Sequence, residues 1–206
     1  MKTPLRYQIS EYDCGPTAML DAMSYLFARE LIPPEVIRNI MLYSLDCYNT
    51  EGVSGKSGTS CAAMMFLSNW LNNFGKLGRL PISSQYLTGA GVYLGSSSLV
   101  NDALHRGGAA VVRLFFDEWH YVLLTGERDG IVRMFDPYYV AAPQLPEGIE
   151  MVADAPESCN RLVHERFFNQ EKLAIYALGP TETREAILLF NDATKLTEER
   201  TVEYFI

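Results

Sequence analysis

Gln8-Ile9-Ser10-Glu11-Tyr12-Asp13-Cys14-Gly15-Pro16-Thr17-Ala18-Met19-Leu20 is the stretch on which the fold turns. Proline is favoured in the first turn of a helix, where its missing N–H would have gone unpaired anyway. Asp13-Cys14-Gly15-Pro16 therefore reads as a turn entering a helix, and Met19, Leu20, Met23, Leu26 and Phe27 recur behind it at helical spacing. Cys14 falls at the N-terminus of that helix. A helix N-terminus carries partial positive charge and unpaired N–H groups, both of which favour a thiolate. Gly15 removes a side chain where a substrate carbonyl must approach. The Cys14 N–H is placed to become one oxyanion donor, and the side-chain amide of Gln8 offers a second. Taken alone, a cysteine at a helix start is most often only a small buried residue.

A base must come from elsewhere, and the chain holds three histidines, His105, His120 and His164. His105 and His164 have no nucleophile near them in sequence and read as surface or structural residues. His120 opens the apolar run His120-Tyr121-Val122-Leu123-Leu124, which is followed by the strong hairpin signal Asp129-Gly130 and a return to Asp136-Pro137. A hairpin turning there brings Asp136 back to the end where His120 started, so the carboxylate can orient the imidazole. The plainer alternatives are a strand histidine bonded to a backbone carbonyl and an aspartate that initiates a turn before proline.

Between and beyond these motifs the chain reads as helices first and sheet second, an α+β organisation. Pro33-Pro34 starts a second helix with Val36, Ile37, Ile40, Met41 and Leu45 on one face, closed by the Gly/Ser stretch Gly52–Ser60. A third is expected from about Ser60 to Phe74, stopped by Gly75. Gly78–Gly95 reads as loop with one short strand. Ser96–Ser98 cap a short fourth helix through Leu99, Val100, Ala103 and Leu104, ended by Gly107-Gly108. Strands are expected at Ala109–Phe116, Trp119–Gly126 and Ile131–Phe135. The tail reads as a long loop over Pro143–Ser158, a turn of helix near Arg161–Phe168, and strands at Leu173–Leu178 and Ala186–Phe190. Residues 1–206 read as one domain with an elaborated C-terminal region from about 141.

The Gln8–Leu20 segment resembles the cysteine motif of the C39-like peptidases, the family of bacteriocin-processing and leader-peptide-cleaving proteases. His120-Tyr121-Val122-Leu123 and Asp136-Pro137 resemble that family's histidine and aspartate motifs. The likeness is sharp over these segments and loose over Pro4–Val140. It implies a papain-like cysteine peptidase fold, with a helical N-terminal half packed on an antiparallel sheet, Cys14, His120 and Asp136 as triad, and Gln8 as oxyanion residue. The best-known members are fused to a transporter with an ATP-binding cassette. This chain shows neither transmembrane segments nor a nucleotide-binding half, and its Cys14 to His120 stretch is longer, so a separate transporter or biosynthetic partner is the expectation.

Composition narrows the partners. The chain has 206 residues, 48% of them hydrophobic, and 17 Lys plus Arg against 25 Asp plus Glu give a formal charge of −8. That charge repels phosphate backbones and anionic lipid surfaces, so neither nucleic acid nor membrane insertion is expected. No apolar stretch suits a signal peptide or a membrane span, and a cytoplasmic protein is expected. Cys14, Cys47, Cys61 and Cys159 are widely spread without a CxxC pair, which argues against a disulfide framework or zinc site. Gly55-Lys56-Ser57 lacks the upstream glycine and strand of a phosphate loop, and Gly107-Gly108 reads as a helix stop rather than a cleavage site. The expected activity is acyl transfer from a peptide or small amide to water, with no cofactor and no metal, and with the Cys14 thiol held below the ordinary cysteine value while the other three thiols have no such support. The alternatives are an acyltransferase or transglutaminase-like enzyme with the same triad, and a leader-peptide-binding module without turnover.

Overall fold

The computed structural model describes residues 2–141 and 144–197. Among them the fold is α+β, with four α-helices and a seven-stranded, wholly antiparallel sheet. Helices α1 (Cys14–Leu26), α2 (Pro34–Ser44) and α3 (Cys61–Lys76) come first. They are followed by β1 (Ile82–Thr88), α4 (Leu99–His105), β2 (Ala109–Phe116), β3 (Glu118–Arg128), β4 (Ile131–Phe135), β5 (Ile149–Met151), β6 (Arg161–His164) and β7 (Glu185–Asn191). The order across the sheet is β1-β7-β2-β3-β4-β6-β5. The last strand in sequence lies inside the sheet, paired to β1 and β2 on either side, and all seven of its residues are buried.

Strand alternation divides the sheet into two faces. Val111, Tyr121, Leu123, Phe135, Ile187 and Leu189 pack with Met19, Met23, Val36, Ile40, Met64, Leu67 and Leu71 of α1–α3. On the opposite face Val112, Leu114, Val122, Leu124, Met134 and Leu188 pack with Val100, Ala103 and Leu104 of α4 and with Phe168, Tyr176 and Leu178. Each fully buried Leu, Val or Met contributes roughly 1.5–3 kcal/mol relative to exposure. The two apolar layers therefore fix α1 against the centre of the sheet and with it the position of Cys14.

The hairpin reading holds in detail: Asp129 and Gly130 have φ of 54° and 77°, the left-handed pair that a tight two-residue turn needs. Ser60 and Ser98 cap α3 and α4 through their side chains. Other expectations are corrected. Gly75 does not stop α3, which continues to Lys76; it is glycine because a Cβ there would come within 1.8 Å of the Ile82 carbonyl oxygen. The segment read as loop with one short strand contains the full seven-residue edge strand β1. Helix α2 ends at Ser44, before the Gly/Ser stretch, and Ile37 and Met41 on its expected core face are exposed. Arg161–Phe168 is β6 followed by a 3-10 turn rather than helix. Leu173–Leu178 joins no strand and makes a single bridge, Phe115 to Ala177. Pro143, where the long-loop reading begins, lies outside the described residues, and the rest of that segment includes β5.

Candidate active site

The lead-in to α1 is folded by its own polar groups. Asp13 does not cap the helix; its carboxylate accepts from the Ser10 N–H at 2.9 Å, the Ser10 hydroxyl at 3.0 Å and the Ile9 N–H at 3.2 Å. Upstream, the Arg6 N–H donates to Asp21 Oδ1 on α1 at 2.9 Å, and the Gln8 N–H donates to the Pro137 carbonyl at 2.9 Å. Tyr7 packs between Phe135 and Tyr139 at centroid distances of 5.4 and 5.1 Å. Gln8 is thereby held between the start of α1 and the residue after Asp136.

Gln8, Cys14 and His120 line one open cleft of about 540 Å³, with Glu11, Tyr12, Lys56–Gly58, Phe116–Trp119 and Tyr138 around it. Cys14 is 7% exposed, and its sulfur lies against the backbone N–H groups of Tyr121 and Gly15. Tyr121 directly follows His120. Tyr121 faces α1, so alternation turns His120 toward the α4 side of the sheet. Cys14 and His120 both line the cleft where β4 has left β3: Leu123 with Phe135 is the last β3–β4 pair, and His120 lies beyond it, still paired to Leu114 of β2. Gly15 has a different role from the one expected. A Cβ on it would come within 2.2 Å of the Thr59 hydroxyl, so its missing side chain makes room for the α2–α3 loop.

Behind His120 stands Asp136, 1% exposed, with Oδ1 3.5 Å from Nε2. That is ion-pair range, and Nε2 has no hydrogen-bond partner. The carboxylate is otherwise satisfied: Oδ1 accepts from the Tyr138 N–H and Oδ2 from the Tyr176 hydroxyl, both at 2.9 Å. Asn160 grips the Asp136 backbone from both sides, accepting from its N–H at 2.9 Å and donating to its carbonyl at 2.8 Å. Phe116 stacks on Tyr176, with centroids 5.5 Å apart, and meets the imidazole in a T-shaped arrangement at 5.9 Å.

Burial pushes the Cys14 thiol above the ordinary cysteine value; the Tyr121 and Gly15 N–H groups oppose that, and the charges of Asp13 and Asp136 add to it. Burial likewise pushes the His120 imidazole below its usual range, against the pull of Asp136. Both shifts favour the uncharged forms, thiol and neutral imidazole. This reverses the expectation from helix position alone, because desolvation of a nearly buried sulfur outweighs the helix end. Burial, together with the nearby Asp136 charge, keeps Tyr176 protonated and a donor.

Tyr176, Asn160 and Phe116 had no signal in the sequence as site residues. Tyr176 has a φ of 59°, and that left-handed backbone is what turns its ring inward from a segment with strand-like composition. Gln8 is in the cleft, but its Nε2 donates to the Ser10 carbonyl at 2.8 Å and its buried Oε1 has no partner. His105 pairs with Glu127 at 2.6 Å and His164 caps a 3-10 turn, both away from the cleft. Among the described residues no group of three or more His, Cys, Asp or Glu is arranged to hold a metal ion, and no helix is long and apolar enough to cross a membrane. Scanned against protein-family models and against curated proteins, the chain matches none.

Proposed function

We propose that this chain is a cysteine hydrolase of the papain-like, C39-like kind, cleaving a peptide or small amide by acyl transfer, and working in the cytoplasm beside a separate transporter or biosynthetic partner. The observation that carries the reading is one cleft containing Cys14 at a helix start and His120, with Asp136 3.5 Å behind the imidazole. A carbonyl entering the cleft draws the Cys14 proton to His120 as the sulfur attacks. The tetrahedral oxyanion is met by the Cys14 N–H and by Gln8, whose amide nitrogen carries a second hydrogen beyond the one given to Ser10. His120 returns the proton to the leaving amine, then deprotonates a water that hydrolyses the thioester. Asp136, held by Tyr138, Tyr176 and Asn160, keeps Nε2 turned away from the sulfur.

A neutral resting pair is also what a peptide-binding module without turnover would have, which gives that reading a specific support. The two separate on covalent chemistry. Incubated with a panel of unlabelled peptides, the protein is expected to yield cleavage products that vanish in Cys14→Ala. Adding a primary amine tests the remaining alternative: amide products in place of acids make the enzyme an acyltransferase. Binding without any product in either case would rule out the enzymatic reading.

A further inference from the structure

The α2–α3 loop, residues 46–60, forms one wall of the cleft through Lys56, Ser57 and Gly58 and covers Gly15 with Thr59. Its two ends are pinned together by one carboxylate. Asp46 Oδ1 accepts from the Ser60 N–H at 2.9 Å, and Oδ2 accepts from the Ser60 hydroxyl at 2.5 Å. The residue following each pinned end is a cysteine. Cys47 Sγ lies 3.7 Å from the same Asp46 Oδ1 that receives the Ser60 N–H, so this thiol and the start of α3 share a single oxygen. Cys61 is the first residue of α3 and is exposed, whereas Cys47 is half-buried. Burial holds the Cys47 thiol up, and Asp46 and the neighbouring Cys61 both add to that.

We propose that Cys47 and Cys61 are a redox-responsive dithiol, which an oxidised low-molecular-weight disulfide converts to a disulfide that clamps the neck of the cleft-lining loop. The exposed Cys61, as thiolate, attacks one sulfur of the small disulfide, forming a mixed disulfide and releasing one small thiolate. Cys47 then gives up its proton and attacks Cys61 Sγ, forming the Cys47–Cys61 bond and releasing the second small thiolate. The protein loses two hydrogens and the small disulfide is reduced to two thiols. Cys14 and Cys159 are buried, so a small disulfide in solution meets Cys61 before either of them. In the reduced protein the hydrogen bonds of Asp46 to Ser60 join the two ends of the loop without a covalent link; a disulfide at the same place removes its open states.

The full chain is incubated with oxidised glutathione, its free thiols are blocked, and its peptides are mapped by mass. A Cys47–Cys61 linkage is expected, with Cys61→Ser unlinked and Cys47→Ser arrested as a glutathione adduct on Cys61. Amide exchange over residues 48–58 should slow roughly tenfold or more on oxidation of the wild-type chain. A stable glutathione adduct on Cys61 with Cys47 still free, linkage through Cys14 or Cys159, or unchanged exchange in a linked protein would each overturn the proposal. Mass and exchange are read without any substrate, so the dithiol stands or falls separately from turnover at Cys14.

Discussion

Two cysteines each open a helix in this molecule, Cys14 at the start of α1 and Cys61 at the start of α3, and their surroundings are opposite. Cys61 is exposed beside the polar neck of a loop. Cys14 is buried, touches the backbone next to His120, and shares its cleft with Gln8. A helix end alone therefore does not define a nucleophile. What distinguishes Cys14 is the cleft it shares with His120, carried there by a distant hairpin, and the polar shell around Asp136 beside that imidazole.

The largest effect expected from this contrast is on turnover. Cys14→Ala should lower peptide cleavage by on the order of 10⁴-fold or more, whereas Cys61→Ala, in a reducing buffer, should leave it within about twofold. A steady-state assay of both variants checks this; comparable losses would erase the distinction.

Next comes Gln8, the proposed oxyanion donor, which lines the cleft of Cys14. Gln8→Ala should cost roughly 10²-fold in kcat with the fold unchanged. Wild-type kcat would make Gln8 only the residue that ties the lead-in to Pro137.

The shell behind His120 should show mainly in stability. Tyr176→Phe removes a buried hydroxyl from Asp136 Oδ2 and is expected to cost about 1–3 kcal/mol in denaturant unfolding, with a smaller loss of rate than Gln8→Ala. No change in either quantity would mean that water replaces the hydroxyl without consequence.

The smallest effect concerns how α1 is anchored. Asp21 holds the Arg6 N–H, but burial pushes its carboxyl up to about 7 and its Oδ2 has no partner. A folded-state value raised above the unfolded one means that the native chain keeps a proton which the unfolded chain has released. The stabilisation is complete below about pH 4 and is lost as the pH rises to about 7. Asp21→Asn should flatten that fall by on the order of 1–2 kcal/mol, seen by comparing denaturant midpoints at pH 5 and pH 8. An unchanged slope would place the pH dependence elsewhere.

The same contrast explains what could be read before the fold was known. Cys14 with Pro16 behind it, and His120 with Asp136 across Asp129-Gly130, are local patterns: helical spacing and a two-residue turn, although the register shift between Leu124 and Gly126 lies outside what the turn dictates. The insertion of β7 between β1 and β2, the full length of β1, and the arrival of Tyr176 and Asn160 at Asp136 depend on pairings between residues far apart in sequence. Composition does not encode those partners. Leu173–Leu178 has the residues of a strand but no ladder to join, while Arg161–Phe168 gains one from β4. The electrostatics were hidden for a related reason. The burial that raises the Cys14 thiol is a property of the packed fold, which the helix-start motif does not encode.

The central claim, that His120 serves Cys14 as its base, is tested most directly by acylation with an activated ester followed by peptide mass spectrometry. A neutral resting pair with His120 as base predicts that the wild-type protein forms a thioester on Cys14, that its rate rises with pH only up to somewhat below the ordinary imidazole value of about 6.5 and then levels, and that His120→Ala slows it by roughly 10²-fold or more at neutral pH while leaving acylation of Cys61 unaltered. Acylation of Cys14 and Cys61 at equal rates, or a Cys14 rate indifferent to His120, would contradict the account.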